Sequence, residues 1–485
     1  MNSINLYENI IFKTSLDVDS SFPLGLDKFL DDIWSKREKN KDLEELYGKS
    51  SNKQAFLKIT KGLDSSNAIY LQSKNYIGVI KWKGLTINLL PKVFYSKNES
   101  DVNQDNDVLI PIQNHILWWL SYSKKIKFPN FKSSANDKKG DFFEAIIYLF
   151  SKHTKEVLSS SIYKSFEDIE RETKYMKGQL LVKDYIVNNL AKGRNHILYC
   201  RYNSLEIDNK FNRIIKYVCK TLLNISTINE SKRYLREIIF ILDEVEDVKC
   251  ILNDCESVKF NSFFRNMQSI LDYCKLFLSG SIVLNHNNKL DVFTYLIRSE
   301  ELFQSFVYEF IEKEIPNLSK AMKNENYLVM ETINSNGISI KKNLYKINPD
   351  GFLKDNYGNY YITDTKYKDL KVDKVSQSDL YQMVSYAIRN KVDQVRIMYP
   401  CYLGGTNTEY PQSFIIEDEF TNIDKKEGEK EITRIEIKNL YLPIIKENWK
   451  NKNEYSNTLS VDFDEQRIIL KNYIEKNLFK NEQGH

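Results

Sequence analysis

Asp350, Asp364 and Lys366 lie in two neighbouring segments rich in β-formers, INPDGFL and ITDTKYK. Two carboxylates that face each other across a ladder repel unless something neutralises them. A divalent cation does so, and oxygen-only ligation by few protein groups suits Mg²⁺, or Mn²⁺ in its place. A lysine beside such a pair can orient a water and steady the negative charge that develops on attack. Together these residues describe metal-assisted hydrolysis of a phosphodiester. The competing reading is a salt-bridged sheet surface, since Asp-x-Lys is a common tripeptide and Asp350-Gly351 is a turn dipeptide.

The flanking elements must bring the three residues together. If DNYGN (355–359) is a five-residue loop, Lys354 pairs with Tyr360 and Asp350 faces Asp364. Side chains alternate along a strand, so Asp350, Asp364 and Lys366 then share one face. A four-residue loop would turn Asp350 away. The site thus needs an odd loop or a bulge, and Gly358 is the natural residue for a positive φ there. In the following helix, VSQSDLYQMVSYAIRNK, Gln382 and Tyr386 are one turn apart on one side. The alternative for either residue is an ordinary half-buried helix face with Leu380, Met383 and Ala387.

These segments belong to a carboxy-terminal α/β region, 291–485. It reads as a helix (SEELFQSFVYEFIEKEI), strand-like YLVMETI, a long strand KNLYKINPDGFLK, strand YYITDTKYK, the Gln-Tyr helix, and strand QVRIMYP. This α-β-β-β-α-β order predicts one mixed sheet flanked by helices. Residues 1–107 read as a mixed α/β domain. It has a helix near 25–47 and a hairpin turning at Lys81–Gly84. Residues 108–290 are mainly helical. The stretch YMKGQLLVKDYIVNNLAKGRNHILYCRYN within them is expected to hold two strands and a basic turn with Lys192, Arg194 and Arg201. With Lys138 and Lys139 in the loop FPNFKSSANDKKGD, and Lys92 after Pro91, these are candidate nucleic-acid or partner contacts; otherwise they form a solvated face. The fold class is α+β and multidomain.

Composition narrows the function classes. The 485 residues exceed one ordinary core. A net charge of +4, from 70 Lys and Arg against 66 Asp and Glu, confines any nucleic-acid surface to local patches. No apolar run is long enough to span a bilayer, and the start lacks a secretory pattern, so a cytoplasmic location is expected. The six cysteines and five histidines are dispersed, with no Cys-x-x-Cys and no zinc spacing, which predicts reduced thiols. Tyr47-Gly48-Lys49-Ser50 ends like a phosphate-binding loop. Leu43, however, occupies the place of the first glycine, so Gly48 reads as a helix C-cap and the chain itself binds no nucleotide.

PDGFLKDNYGNYYITDTKYK followed by SDLYQMVSYA resembles the PD-(D/E)xK nuclease domain of the McrC family, and Gln-x-x-x-Tyr resembles the accessory motif of RecB-like nucleases. NYIGVIKWKGLTINLLPKVF resembles the family's paired strand ending in Pro-Lys. MKGQLLVKDYIVNN…CRYNSLEIDNKFNR resembles its central region, with Asp208, Asn212 and Arg213 in order. The resemblance implies a restriction endonuclease subunit that acts on double-stranded DNA with Asp350, Asp364 and Lys366. It implies docking of the amino-terminal and middle regions to an McrB-like AAA+ GTPase ring whose GTP hydrolysis is stimulated. One position departs. Where the family carries Leu-Phe-Glu, this chain has Leu302-Phe303-Gln304, so the third metal ligand is left among Gln304, Glu300, Glu301 and Glu309. The rival expectations are a motor-independent repair nuclease and a catalytically weak assembly subunit.

Overall fold

The computed structural model describes residues 2–14, 22–36, 54, 56–61, 69–83, 85–96, 101–104, 106–122, 142–261, 264–278, 282–284, 290–321, 326–333, 339–347, 349–369, 375–403, 413–417, 434–445 and 462–478. The Gly48 C-cap, the loop carrying Lys138 and Lys139, and the polar stretches 404–412 and 418–433 lie outside these residues.

The amino-terminal region holds β1 (Asn2–Tyr7), β2 (Ile11–Thr14), α1 (Phe22–Lys36), β3 (Leu57–Lys61), β4 (Ile69–Ser73), β5 (Tyr76–Trp82) and β6 (Leu85–Leu90). The β5–β6 hairpin turns at Lys83, with Trp82 opposite Leu85. Helix α1 presents Leu26, Leu30 and Ile33 at helical spacing and lays them on Leu71, Ile80 and Ile87.

The middle of the chain contributes α2 (Asn106–Tyr122), α3 (Phe142–Ser160), β7 (Ser165–Thr173), β8 (Gln179–Leu180), α4 (Val182–Asn188), β9 (Leu198–Glu206), α5 (Lys210–Ile225), α6 (Asn229–Ile241), α7 (Leu252–Glu256) and α8 (Arg265–Leu278). The stretch from Tyr175 holds the two expected strands, β8 and β9, with helix α4 between them. Helix α5 buries Phe211, Ile214, Ile215, Val218 and Leu222 on one side. Its start is clasped twice. Asn209 caps it by accepting from the Asn212 amide at 3.1 Å, and Asp208 grips Arg213 through bonds of 2.7 and 2.8 Å. Two further strands, β10 (Ile282–Leu284) and β11 (Leu290–Arg298), return to the amino-terminal sheet, whose order is β1-β6-β5-β11-β10. That sheet is therefore closed by residues from beyond 280.

The carboxy-terminal part runs α9 (Ser299–Glu314), β12 (Leu318–Lys320), β13 (Asn326–Ile333), β14 (Ser339–Ile347), β15 (Gly351–Asp355), β16 (Tyr360–Thr365), α10 (Gln377–Asn390), β17 (Gln394–Pro400), β18 (Ser413–Glu417), β19 (Arg434–Leu442) and α11 (Phe463–Leu478). A mixed six-stranded sheet forms in the order β12-β15-β16-β17-β19-β18. The expected long strand KNLYKINPDGFLK is broken. β14 ends at Ile347 and, among the described residues, pairs with β13 alone as a separate ribbon, and β15 begins at Gly351. Pro349 lies in the break, where a residue without an amide proton cannot extend a ladder. Helix α10 packs Met383 and Ala387 on Ile362, Val395 and Ile397, one face of this sheet. The largest apolar core runs without interruption from Val79 through Trp119, Phe143 and Phe306 to Leu440 and Leu470, so it joins all three sequence regions.

Candidate active site

The β15–β16 hairpin sets the register. Lys354 pairs with Tyr360 and Gly351 with Thr363, as a five-residue loop requires. The Asp355 carboxylate ties the loop down, accepting from the amides of Tyr357 (2.9 Å) and Asn359 (2.8 Å) and from the Tyr361 hydroxyl (3.0 Å). Gly358 takes a φ of 90°, a backbone that side chains resist. One further step of this register would set Asp350 against Asp364, but the ladder stops at Gly351. Asp350 instead leans past it, and its Oδ2 accepts from the amide and the hydroxyl of Thr365, both at 3.3 Å.

Asp364 and Lys366 alternate with Thr365 and so point to one face, the face covered by α10. Lys366 Nζ lies 2.8 Å from Asp364 Oδ2 and donates to Gln382 Oε1 at 3.2 Å. The Gln382 amide nitrogen donates in turn to the Tyr386 hydroxyl at 2.7 Å. The structure thus joins Asp364, Lys366, Gln382 and Tyr386 in one polar chain. Asp379, in the first turn of α10, stands 4.0 Å from Lys366 Nζ and 2.8 Å from Lys368 Nζ.

Burial dominates the electrostatics. Asp364 is 2 % exposed. Loss of water, and then the charge on Asp350, push its carboxyl up to about 6, against the pull of Lys366. Burial works against the Lys366 ammonium, but Asp364 and the other nearby acids outweigh it and hold the lysine above its usual range. Lys366 is therefore a firm cation, suited to orientation and charge stabilisation rather than to taking up a proton.

A cavity of about 380 Å³ opens beside Asp350, lined among others by Glu301, Gln304, Tyr308, Lys320 and Phe352. Helix α9 supplies one wall, and the Tyr308 hydroxyl donates to the Thr363 carbonyl at 3.0 Å, which clamps the helix to β16. Gly351 makes that approach possible. A β-carbon there would sit 2.4 Å from the Tyr308 ring and 2.0 Å from Thr363 Oγ1. Glu301 is paired with Arg298 at 3.0 Å, Glu300 lies 3.7 Å from the same arginine, and Glu309 lies 3.9 Å from Lys320.

The groups that could hold a cation are Asp350 and Asp364, with the Gln304 amide oxygen on the same cavity as Asp350. This set is all oxygen and has few members, as hydrated Mg²⁺ or Mn²⁺ prefers. The raised carboxyl of Asp364 fits as well, because a nearby cation would offset both the burial and the charge of Asp350 that raise it. Among the described residues no three His, Cys, Asp or Glu side chains gather into a metal cluster.

Other sequence candidates lie elsewhere. Lys92 is turned inward, its Nζ 4.9 Å above the Tyr367 ring. Lys192 and Arg194 are exposed in the loop before β9, and Arg201 on β9 pairs with Glu170. All six cysteines are free and buried. No helix among the described residues is long and apolar enough to cross a membrane. Asp379, Tyr308 and Thr365 escaped the sequence reading. Asp379 had a visible signal, as an acid three residues after the capping Ser376; the other two act through contacts no spacing rule records.

Residues 71–400 match the family described as McrBC 5-methylcytosine restriction system component. No curated protein matches the sequence. The fold is similar to a chain of the refined half-complex from the tetradecameric assembly of Thermococcus gammatolerans McrB AAA+ hexamers with bound McrC. That match has a TM-score of 0.60 at 17% identity and covers 94% of this chain and 99% of that one. A chain of the cryo-EM structure of the Thermococcus gammatolerans McrBC complex matches at a TM-score of 0.46 and 17% identity, covering 67% of this chain and 90% of that one.

Proposed function

Since the chain belongs to the family of McrBC 5-methylcytosine restriction system components, we propose that it is the nuclease subunit of such a system. In this reading it is a Mg²⁺-dependent endonuclease of the PD-(D/E)xK kind, cleaving double-stranded DNA when assembled with an AAA+ GTPase ring whose GTP hydrolysis it stimulates. The observation that carries the reading is the buried Asp364–Lys366 pair, with Asp350 at the end of the facing strand and Gln382 holding the lysine from the next helix.

Asp350 and Asp364 would hold the Mg²⁺, with Gln304 contributing its amide oxygen. When bound, the ion supplies neutralisation of phosphate charge and a more acidic water. The protein's own part is alignment. Gln382 fixes the Lys366 ammonium, which orients the attacking water and stabilises charge growing on the phosphate oxygens. Tyr386 holds Gln382 in place through its hydroxyl.

The partner half of the reading draws on the archaeal complex, which holds McrB AAA+ hexamers with bound McrC. This chain offers a surface for such a partner. The small sheet β7-β9-β8, the turn from β7 to β8 and helix α4 expose Phe166, Tyr175, Met176, Val182 and Leu205, the first two by 72 % and 76 %. Phe166 and Leu205 are direct cross-strand neighbours. Apolar groups concentrated in one small unit mark an interaction site. Lys192 and Arg194 are exposed in the loop between α4 and β9.

The deciding experiment is cleavage of methylated and unmodified duplex DNA by the chain, with and without its cognate ring, GTP and Mg²⁺. Cleavage that needs all components, and that disappears in Asp350→Ala and Lys366→Ala, is expected. Wild-type rates in either variant would remove the proposed site. Gln304, an amide in place of an acid, favours a second reading, an assembly subunit with little chemistry of its own. A complete mixture that hydrolyses GTP but leaves DNA intact would establish that reading instead.

A further inference from the structure

Both walls of the candidate site end on one buried carboxylate that belongs to the amino-terminal sheet. Glu8 directly follows β1 and is 1 % exposed. Its Oε2 accepts from the Lys92 amide at 3.1 Å and from the Tyr367 hydroxyl at 3.0 Å, and its Oε1 accepts from the Ser299 hydroxyl. Ser299 is the first residue of α9, the helix that carries Gln304 and Tyr308 to Asp350. Tyr367 is the residue after Lys366. Its ring is held between Lys92 Nζ at 4.9 Å and the Phe303 ring at 5.7 Å. The Lys366 amide donates to the Met398 carbonyl at 2.9 Å, so the backbone of the lysine is tied to β17 on one side and, through Tyr367, to Glu8 on the other.

A lone apolar residue would fill this place at less cost than a carboxylate stripped of water. Burial pushes Glu8 up to about 7, so the cost is visible in the group itself. What a carboxylate does and an apolar group cannot do is take three directed hydrogen bonds from three different segments at once.

We propose that Glu8 is a positioning residue that holds Ser299 and Tyr367 at a fixed separation, and thereby aligns the α9 wall with Lys366. The inference rests on the nuclease reading for its consequence, but its geometry is testable without it. The amino-terminal sheet becomes part of the site's frame, so a displacement of that sheet shifts Lys366 and Gln304 relative to each other.

The test uses the full chain with its cognate partner, as wild type, Glu8→Leu, Tyr367→Phe and the double variant. Tyr367→Phe keeps the ring between Lys92 and Phe303 and removes only the hydroxyl. Two readouts are taken. Hydrogen exchange of the isolated chain is expected to speed up together in 299–303 and 365–367 in either variant, by about tenfold, with α5 and α6 unchanged. Single-turnover cleavage is expected to slow by roughly 10- to 100-fold with the DNA KM within about twofold, as for a misplaced group. The double variant should be no slower than the slower single, because both substitutions break the same bond. Unchanged exchange in 365–367, multiplicative rate losses, or a rate loss matched by a loss of folded protein would each overturn the proposal. Lys366→Ala separates the two readings. If it cleaves like wild type while the exchange changes appear, the assignment of the active site to Lys366 falls and the Glu8 clamp stands.

Discussion

Two buried carboxyls dominate the chemistry of this chain at the scale of single residues, and both hold their protons unusually tightly. Asp364 is pushed up to about 6 by burial and by Asp350. Below that pH a cation must displace a proton to bind. Mn²⁺ binding, followed by titration calorimetry between pH 5 and 8, should therefore weaken as pH falls through about 6, towards tenfold per unit. Asp350→Asn should move that inflection to lower pH. Glu8 sits at about 7 against an ordinary value of 4.5. A carboxyl whose folded value is raised binds its proton more tightly when folded. Its contribution to stability is full below 4.5 and is lost as pH rises through about 7. The change is on the order of 3 kcal/mol. Urea denaturation across that window should show the decline in wild type and a flatter profile in Glu8→Gln. The proximity of Asp350, Asp364 and Lys366 was legible because a tripeptide, a turn dipeptide and a loop length sufficed. Glu8 was not, because its partners lie 84, 291 and 359 positions away and no local rule spans such a distance.

Turn chemistry decides the site at the scale of elements. Gly358 in a five-residue loop made the β15–β16 register countable from the sequence. The break at Pro349 was passed over, because an apolar run on either side of it suggested one continuous strand. The closest fit in the site lies at Gly351, between Tyr308 and Thr363. Gly351→Ala should cost about 1–3 kcal/mol in chemical denaturation through overpacking. It should also slow cleavage more than it destabilises, since the displaced residue is the neighbour of Asp350. A variant as active and as stable as wild type would show that the helix gives way freely.

The regions read from the sequence as 1–107, 108–290 and 291–485 are interlocked at the scale of the molecule. Strand β5 is central only because β11 pairs with it from Val292 onward. A fragment 1–107 should accordingly aggregate or melt without cooperativity, its β5 edge open to other chains. Co-expression with 108–485 should restore a soluble complex, checked by gel filtration. The composition shifts in the sequence report where helices give way to strands, and they carry no information about a strand that returns across them.

The same pairing has a consequence in time. During synthesis β5 and β6 leave the ribosome early, and β11 follows only after about two hundred further residues. At roughly 5–20 residues per second that interval lasts on the order of 10–40 s. Throughout it, a hydrophobic strand waits with one side unpaired. An open strand edge invites misassembly in this window, and a chaperone that shields β5 is expected to raise the yield of folded chain.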